Sequence, residues 1–562
     1  MSDPETIVDW AVHWEKETPD RLHFIQPLGG GATNVATWTF AQAVREARRM
    51  ASYLRSLNLP SKSRVAIVSK NCAHWILADW AIWMADLVSV PLYPNLNAST
   101  VRYILEHSDA RLLFVGKLDP IWEEMKKGVP EGLPCVAFPL APAGSEPRWD
   151  DVIAQHEPLS ELPRRAADEM ATIVYTSGST GQPKGAMLSF GAMSAATRGI
   201  SKLLELTPAD RMLSYLPMAH TMERWLVECA STQAAFQVYF AESVDSFLQD
   251  LRRARPTLFL SVPRLWLKFQ AGVLQKMPAK KLDRLLSIPI VGSLVKRKVL
   301  KGLGLDAARI AGSGSAPVPP ELIAWYRKLG LELLEGYGMT ENFNYSHVSR
   351  PGQVRVGYVG QPYDDVQCRI SPEGEVLVKS PGLMLGYFKQ PEETRAVFTE
   401  DGFLKTGDRG SIDELGRLRI TGRVKEIFKT SKGKYVAPAP IENELLNHPR
   451  IEQCCVSGAG QPQPYALVVL NKDAWAAVKD GAKAQVEGEI AQLVKQVNQG
   501  LEAFEQLEFA CVVKDEWVTE NGFLTPSLKI KRSKVEEAYA ANVAGWYAQH
   551  RKVVWADTPA SV

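Results

Sequence analysis

The chain has 562 residues, which is too long for a single binding module and corresponds to about three to four folding units. Lysine and arginine total 65 against 63 aspartates and glutamates, a net charge of +2, and this balance argues against a nucleic-acid partner held through phosphate contacts. With 46% hydrophobic and 23% charged residues, the composition is that of a globular protein with large cores, and excludes a disordered or fibrous chain.

Several features predict where the protein resides. The N-terminal segment is acidic and no apolar run follows it, so we predict no secretory signal. The most apolar long window, 75–92, contains Asp79, Asp86 and Pro91, which predicts a buried helix rather than a membrane span. The seven cysteines are scattered without a C-x-x-C pair, which favours reduced thiols and argues against zinc. We therefore expect a cytoplasmic protein.

Short apolar runs rich in β-formers alternate with helix-like stretches through the first half of the chain, a pattern that predicts parallel sheets with crossover helices. These runs are 64–69, 111–115, 171–175, 211–216, 257–262 and 309–311. Two later runs, 374–380 and 416–421, alternate apolar and polar residues between turns, which predicts antiparallel or barrel structure.

A domain boundary is predicted near 423–425. After it, strand-like and helix-like runs alternate again, which predicts a small α/β domain at the end of the chain. The strand-like runs are 453–456, 465–470 and 509–513, and the helix-like runs are 441–447 and 490–505.

The sharpest single pattern, residues 175–185, combines glycines, hydroxyls and one lysine between the strand-like run 171–175 and a helix-like stretch at 189–199. Glycines let backbone N–H groups turn toward a ligand, hydroxyls add donors and the lysine adds charge, which together suit a polyphosphate. It is not a Walker loop, because Pro183 precedes Lys184 and Gly185 follows it. A flexible surface loop is the alternative. The predicted phosphate contacts are Thr176, Ser177, Gly178, Ser179, Thr180, Gly181 and Lys184.

Five further motifs follow in the chain, and with the phosphate loop they resemble the adenylate-forming enzymes, a family of acyl-CoA synthetases, peptide-synthetase adenylation domains and beetle luciferases. They are Gly-Ser-Gly-Ser-Ala-Pro at 312–317, Gly-Tyr-Gly-Met-Thr-Glu at 336–341, Thr-Gly-Asp at 406–408, Gly-Arg-Val-Lys-Glu at 422–426 and Pro-Ser-Leu-Lys-Ile-Lys-Arg at 526–532. The resemblance implies an α/β fold with a large N-terminal body, residues 1–422, made of two α/β-layered subdomains plus a β-barrel. A hinge at 423–425 and a small mobile C-terminal α/β domain at 426–562, here called the lid, would complete the chain.

The resemblance also implies how ATP would bind. Small residues would let adenine approach the backbone, a tyrosine would stack on the ring, and an aspartate and an arginine would contact the ribose. These residues are Gly314, Ser315, Ala316, Gly336, Tyr337, Gly338, Asp408 and Arg423. Thr340 would reach the α-phosphate, and Glu341 with Thr176 would hold Mg²⁺ through oxygen ligands.

Lys529 resembles the family's catalytic lysine, which bridges the acyl carboxylate and the α-phosphate as charge develops. Leu528 stands where the family more often has glycine, which leaves Lys531 as an alternative register, although Pro526 and Arg532 favour Lys529. His220 resembles a residue near the carboxylate and the thiol path. A histidine that serves only in packing is the alternative.

The reaction implied is two-step acyl transfer: a fatty acid and ATP give acyl-AMP and pyrophosphate, and the thiol of CoA then attacks the activated carbonyl. The lid would turn about Lys425 between the steps, and Gly433 would line the CoA path. Segments 216–224 and 255–266 resemble long-chain fatty acyl-CoA synthetases, and Thr221 stands where amino-acid-activating relatives carry an acid. The prediction is therefore a ligase for a long- or medium-chain acid. The alternatives are a fatty acyl-AMP ligase that delivers to a carrier protein and a non-catalytic nucleotide-binding membrane scaffold.

Two features concern the delivery of the fatty acid. Trp225 is interpreted as a gate of the acyl tunnel, with core packing as the alternative. The stretch 276–301 holds eight basic residues against one acid, Asp283, with apolar residues between them, which predicts peripheral docking on the inner face of an anionic membrane. A solvated face over buried helices is the alternative.

Overall fold

Two large sheets covered by helices form most of the molecule, together with two four-stranded sheets and a two-stranded ribbon. The computed structural model describes residues 5–31, 33–118, 120–176, 182–316, 318–525 and 528–556. None of the helices within these ranges combines the length and apolarity that crossing a bilayer requires.

The first large sheet has seven strands, of which five are parallel, as the alternating pattern predicts. In spatial order the strands are Gly386–Tyr387, Lys184–Ser189, Met170–Thr176, Val88–Leu92, Arg64–Val68, Ala110–Val115 and Cys135–Ala137. The first two are antiparallel to their neighbours. The strand that ends at Thr176 and the strand that begins at Lys184 are paired, so both residues lie at the same edge of the sheet.

The second large sheet has nine strands, and its central strands are parallel. In spatial order they are Gln361–Pro362, His347–Val348, Leu333–Tyr337, Ile310–Ser313, Leu258–Ser261, Arg211–Ser214, Gln237–Phe240, Leu22–Pro27 and Val35–Thr39. Ligands in open α/β sheets bind beyond the carboxyl ends of parallel strands. The motif beginning at Gly312 and the one beginning at Gly336 both lie at that edge, where their strands end.

A four-stranded antiparallel sheet follows and then an α/β unit. The antiparallel strands are Gln367–Ile370, Glu375–Lys379, Leu404–Ile412 and Leu418–Arg423. A two-stranded ribbon of Phe428–Lys429 and Tyr435–Val436 comes next. The last sheet contains Ile451–Ser457, Tyr465–Leu470, Ala510–Val513 and Val553–Trp555.

Helices cover the sheets and carry their own boundary signals. For example, Thr39 caps the helix Phe40–Ser56 by exchanging hydrogen bonds with Gln42. The α-helices of the body are Ile7–Glu17, Phe40–Ser56, Ala73–Met84, Ala98–His107, Trp122–Met125, Trp149–Ala154, Phe190–Leu203, Thr221–Glu223, Ala230–Ala234, Phe247–Ala254, Pro263–Lys276, Ala279–Leu286, Pro289–Leu303, Pro320–Lys328 and Pro391–Val397. Those of the lid are Pro438–Leu446, Lys472–Ala477, Lys483–Gln499, Arg532–Tyr539 and Val543–Tyr547. Short 3₁₀ turns span Lys126–Gly128, Thr340–Asn342 and Ala540–Asn542, and π-helical turns span Arg224–Cys229 and Val478–Ala482.

The structure corrects three sequence expectations. The phosphate loop joins two antiparallel strands as a hairpin, because Lys184–Ser189 pairs with Met170–Thr176 before the helix begins at Phe190. The apolar window 75–92 is a buried helix only as far as Met84, and after a turn at Asp86 with φ of +67° it becomes the strand Val88–Leu92. The lid helix predicted at 490–505 spans Lys483–Gln499.

A buried charge network joins the first sheet to the helical layer. Arg224 forms an ion pair with Asp79 and a second with Glu228 at 3.1 Å, and all three side chains are fully buried. Arg224 also donates a hydrogen bond of 2.7 Å to Thr172 in the strand Met170–Thr176. Burial and the charge of Asp79 raise the pKa of Glu228 well above its ordinary value. The network fixes the π-helical turn that Arg224 begins.

Candidate active site

Asp408 lies where three parts of the chain meet. The Tyr337 hydroxyl donates a 2.7 Å hydrogen bond to Oδ2 of Asp408, and Nε of Arg423 lies 3.1 Å from Oδ1. Asp408 and Arg423 are directly paired on adjacent antiparallel strands, whereas Tyr337 ends a strand of the nine-stranded sheet. Burial and the Asp408 charge raise the pKa of Tyr337 well above its ordinary value. The structure thus brings together three of the predicted adenosine contacts.

Backbone geometry beside Tyr337 leaves little room for side chains. A Cβ on Gly338 would lie 2.4 Å from the carbonyl oxygen of Asn344, and one on Gly314 would lie 3.3 Å from the carbonyl oxygen of Gly336. Ser315 has a φ of +69° and is exposed together with Ala316. The segment is therefore compact at Gly314 and open at Ser315, which suits the approach of a flat ring.

The phosphate side of the cleft carries one lysine and one carboxylate joined by an aromatic ring. Lys184 forms an ion pair with Glu393 and lies 5.3 Å from the centre of the Tyr387 ring. The Tyr387 hydroxyl donates a 2.8 Å hydrogen bond to Oε1 of Glu341. Thr176 and Lys184 are direct partners across the hairpin. Five predicted phosphate contacts, Ser177, Gly178, Ser179, Thr180 and Gly181, lie outside the described residues.

Lys529 reaches this cleft from the lid. It keeps solvent contact, but the surrounding protein removes hydration, and this loss together with repulsion by Arg423 lowers its pKa below the ordinary 10.5. The negative charges of Asp408 and Glu341 act in the opposite direction and raise the pKa of Lys529. The lid is therefore oriented so that Lys529 interacts with charged groups of both the nucleotide side and the phosphate side.

Backbone hydrogen bonds fix the position of Lys529. The Thr525 N–H donates to the Lys529 carbonyl at 2.8 Å, and the Lys529 N–H donates to the Thr525 hydroxyl at 3.0 Å. The N–H of Leu528 donates to the Thr525 carbonyl at 2.8 Å. Leu528 closes this turn with a φ of +62°, a left-handed conformation that glycine adopts freely. The departure from the family pattern therefore falls at a position where glycine would be unstrained.

His220 lies at the start of a short helix, in an environment that favours the neutral imidazole. Its Nδ1 accepts a 3.1 Å hydrogen bond from the Met222 N–H at the start of the helix Thr221–Glu223. Burial and the nearby Lys529 charge lower its pKa from 6.5 to about 4. A neutral imidazole can accept or donate a hydrogen bond beside an anion without adding charge.

Sequence reasoning missed Glu223, which shapes the loop that carries His220. Its Oε1 accepts hydrogen bonds from the Tyr215 N–H and the Ser214 hydroxyl, both at 2.9 Å, and from Asn71 at 3.1 Å. Burial raises the pKa of Glu223 to about 8. Tyr387 was also missed. The only signal in the sequence is a polar side chain beside apolar residues. The hydrogen-bond partners of Glu223 and Tyr387 are distant in the chain, so that this signal does not identify them.

An apolar cavity extends from the glycine segments into the nine-stranded sheet and its covering helices. Its lining includes Ile200, Leu204, Leu216, Met222, Trp225, Leu226, Leu260, Val262, Ile310, Gly314, Leu334, Tyr337, Asn344, His347 and Tyr363. Trp225, carried by the π-helical turn, lines this cavity and also belongs to the buried core, so that its role as a tunnel gate stays a prediction. Its ring lies 6.3 Å from the Tyr345 ring and 6.2 Å from the Tyr363 ring.

The predicted hinge and CoA residues lie on the lid side. Lys425 is exposed, and its charge acts on Glu393, the partner of Lys184. Gly433 has a φ of +78°, and a Cβ there would lie 3.8 Å from Cε of Lys429. In this arrangement Arg264 of the body and Glu452 of the lid form an ion pair.

The donor set at the phosphate side fits magnesium. Within the described ranges no group of three or more His, Cys, Asp and Glu side chains could hold a metal ion. Mg²⁺ is commonly bound by one or two carboxylates together with substrate phosphates and water. Glu341 offers a carboxylate and Thr176 a hydroxyl, so the residues present suit a cation that arrives with a polyphosphate.

The two sheets of the body and the lysine-bearing lid define an adenylate-forming fold. The chain matches the AMP-binding enzyme family over residues 11–388 and the AMP-binding enzyme C-terminal domain over residues 425–551. It therefore belongs to the AMP-binding enzyme family.

Curated relatives and solved structures resemble the whole chain. It is 31% identical to the long-chain-fatty-acid–CoA ligase FadD15 of Mycobacterium bovis, over 97% of this chain and 98% of that protein. It is 30% identical to the peroxisomal long chain acyl-CoA synthetase 6 of Arabidopsis thaliana, over 91% of this chain and 81% of that protein.

Among solved structures, the adenylation domain of a Mycobacterium chelonae carboxylate reductase has a TM-score of 0.81 at 23% identity, over 97% of this chain and 91% of that one. The Bacillus subtilis O-succinylbenzoate coenzyme A synthetase with ATP and a magnesium ion has a TM-score of 0.73 at 23% identity, over 94% of this chain and 99% of that one. These two likenesses establish the fold.

The left-handed conformation of Leu528 gives a stability prediction. The side chain is 62% exposed, so its removal sacrifices little packing, whereas the left-handed conformation costs about 1–2 kcal/mol for a residue with a Cβ. Leu528→Gly should leave the unfolding temperature unchanged or raise it, and the β-branched Leu528→Val should lower it, as measured by scanning calorimetry. Leu524→Gly, which removes a buried side chain, serves as a destabilised control. A glycine variant less stable than the valine variant would contradict this explanation.

Proposed function

We propose that the protein is an AMP-forming fatty acid–CoA ligase that activates a long- or medium-chain acid. The observation that carries the proposal is the convergence of Lys529, His220 and Glu341 on a cleft that continues into an apolar cavity. The carboxylate oxygen would attack the α-phosphorus of ATP, which forms acyl-AMP and releases pyrophosphate. The CoA thiol would then attack the acyl carbonyl, lose its proton and release AMP.

Each step assigns work to groups of this chain. Lys529 would bridge the acid and the α-phosphate, where a preorganised positive charge stabilises the developing negative charge. Its position is supported by the electrostatic coupling to Asp408 and Glu341. His220, held neutral, would orient the acid carboxylate, and Thr340 would donate to the α-phosphate. Loss of hydration and repulsion by Arg423 lower the pKa of Lys529, and a bound polyanion would oppose both effects by stabilising the charged form.

Nucleotide and metal binding use the groups on both walls of the cleft. Gly314, Ser315 and Tyr337 would hold adenine, while Asp408 and Arg423 would hold the ribose. Lys184 would exchange its partner Glu393 for a phosphate. Glu341 and Thr176 would hold Mg²⁺, which when bound neutralises the charge of the leaving pyrophosphate.

The second half-reaction requires the lid to turn. Lys529 occupies the cleft in the present arrangement, so a rotation about Lys425 would withdraw it and bring the Gly433 loop toward the site. In this proposal the lid, residues 426–562, rotates against the body, residues 1–422, about the hinge at 423–425. The ion pair between Arg264 of the body and Glu452 of the lid would break during that rotation.

The substrate class follows from the cavity and the relatives. The described lining residues include no charged side chain, so the cavity suits an alkyl chain and disfavours an ammonium or a second carboxylate. The names of the M. bovis and A. thaliana relatives specify long-chain acids. CoA is the acceptor in those names.

The proposed function is tested with a panel of carboxylic acids of two to twenty carbons in the presence of ATP, Mg²⁺ and CoA. Pyrophosphate release and thioester formation are followed separately. We expect both products, with the highest kcat/KM for acids of medium or long chain. Pyrophosphate without the CoA ester would favour an acyl-AMP ligase that serves a carrier protein. Neither product would favour a nucleotide-binding scaffold.

The role of Lys529 is tested by dividing the reaction into its halves. Lys529→Ala should lower acid-dependent pyrophosphate release by about 10²–10³-fold, the usual cost of a lost transition-state contact. Thioester formation from supplied acyl-AMP should change much less, because the lysine leaves the cleft before that step. Lys531→Ala is the matched control for register and should retain both half-reactions. Equal losses in both half-reactions of Lys529→Ala would contradict the alternating arrangement.

We also propose that the basic stretch 276–301 docks on an anionic bilayer surface. It forms the helices Ala279–Leu286 and Pro289–Leu303. Ile290 is 79% exposed and Leu294 is 62% exposed, and they lie on the same helical face as Arg297, Lys298 and Lys301. The single acid, Asp283, is already paired with Lys328 at 2.9 Å. Exposed apolar side chains beside cations complement a surface of acyl chains below anionic headgroups.

Liposome co-sedimentation tests the docking surface. A variant with Lys296, Arg297 and Lys298 all changed to Glu should lose binding to vesicles of phosphatidylglycerol and phosphatidylcholine. The matched control changes three exposed lid lysines, Lys472, Lys479 and Lys495, to Glu and therefore alters the net charge equally. Undiminished binding by the first variant, or equal loss in both, would contradict docking through this surface.

A further inference from the structure

Several residues that line the apolar cavity carry polar side-chain atoms. Within the described residues, four lining side chains have a buried nitrogen or oxygen without a hydrogen-bond partner. The atoms are Nε1 of Trp225, Oγ of Ser313, Nδ2 of Asn344 and Nε2 of His347. Each of these residues is at most 5% exposed. Such groups are uncommon in folded proteins, because a buried donor without a partner is destabilising.

Two of the four lie beside residues assigned to the nucleotide. Ser313 directly precedes Gly314, and His347 is paired with Tyr337 across adjacent strands. A nucleotide could satisfy these groups. Asn344 also lies beside a nucleotide residue, but it is the Asn344 backbone that lies against Gly338. The side-chain nitrogens of Trp225 and Asn344 are therefore the two donors that the adenosine contacts leave unassigned.

Both remaining donors are held rigidly. Trp225 belongs to the π-helical turn that the buried Arg224 network fixes, and its ring contacts the rings of Tyr345 and Tyr363. Asn344 has a φ of +60°, and its backbone lies against Gly338 so closely that no Cβ would fit there. These contacts restrain the Trp225 ring and fix the backbone that carries the Asn344 side chain. π-helical turns also occur frequently at functional sites.

The chemistry of the two donors defines the partner that they would accept. An indole N–H only donates, and an amide nitrogen donates, so the complementary group is an oxygen acceptor. The lining contains no charged side chain among its described residues, which excludes a match to a second carboxylate. A hydroxyl or keto oxygen on the acyl chain meets both conditions.

We propose that the preferred substrate is a fatty acid whose chain carries an uncharged oxygen substituent, a hydroxyl or keto group, recognised by Trp225 and Asn344. This inference rests on the proposed function and specifies its substrate. An unsubstituted chain of the same length would enter the same cavity but would desolvate both donors without pairing them.

The test compares acids of one chain length. Hexadecanoic acid is compared with hydroxy derivatives, in which the hydroxyl moves in steps from the second carbon to the last, and with keto derivatives at interior carbons. For each acid, kcat/KM is measured for acid-dependent pyrophosphate release. At one region of the chain the oxygenated acid should exceed the unsubstituted acid by about tenfold, the ratio of a hydrogen bond worth 1.4 kcal/mol. No advantage at any position would overturn the inference.

Variants assign the preference to its donors. Trp225→Phe and Asn344→Leu should each reduce the ratio of oxygenated to unsubstituted kcat/KM toward one. Trp80→Phe is the matched control, because Trp80 also has a buried indole nitrogen without a partner but does not line the cavity; its ratio should equal that of the unmodified protein. The unfolding temperature of each variant is measured to identify any variant that misfolds. A preference that persists in both variants, or a change in the KM for ATP alone, would overturn the assignment.

The outcomes separate this inference from the proposed function. If unsubstituted and oxygenated acids are activated equally, the ligase proposal stands and the inference fails. If no acid of any kind releases pyrophosphate, the ligase proposal itself fails.

Discussion

The arrangement of the site depends on the contacts of one buried carboxylate, that of Asp408. It accepts a hydrogen bond from Tyr337 of the nine-stranded sheet, is paired with Arg423 of the antiparallel sheet, and acts electrostatically on Lys529 of the lid. Three parts of the chain that are distant in sequence thus meet at one negative charge. Without that charge, Arg423 and Lys529 would repel one another across the cleft with less compensation. The orientation of the lid and the electrostatics of the site therefore depend on each other.

A second constraint lies beneath the acyl cavity. Arg224 is fully buried with Asp79 and Glu228, and removal of one member of such a group typically costs about 3–5 kcal/mol because a charge remains uncompensated. This network anchors the turn that presents Trp225 to the cavity. The wall of the cavity is therefore held by buried charge as well as by apolar packing.

The sequence allowed the family and the fold class to be predicted, because motif residues act through local backbone geometry. Gly338 and Gly314 stand where a side chain would meet backbone atoms, and such demands are visible as glycine in the sequence. The hairpin at the phosphate loop was missed because the strand Lys184–Ser189 is short and has a small glycine-containing pattern. Its pairing with Met170–Thr176 stabilises it more than its own residues do.

Contacts between distant parts of the chain were beyond sequence reasoning. Glu223 is hydrogen-bonded by Asn71, and Glu341 by Tyr387, across separations that no spacing rule connects. The left-handed conformation of Leu528 could be anticipated only as a departure from glycine. The boundaries and roles at Lys425 and Gly433 remain predictions, because a single arrangement of the lid displays one of the two states that they serve.

Isotope transfer tests the central claim, that a carboxylate oxygen attacks the α-phosphorus of ATP, most directly. A fatty acid with both carboxylate oxygens labelled as ¹⁸O is converted in the presence of ATP, Mg²⁺ and CoA, and the AMP, pyrophosphate and thioester are analysed by mass spectrometry. The account predicts one ¹⁸O in AMP, one in the thioester carbonyl and none in pyrophosphate. Unlabelled AMP, or label in pyrophosphate or inorganic phosphate, would contradict it.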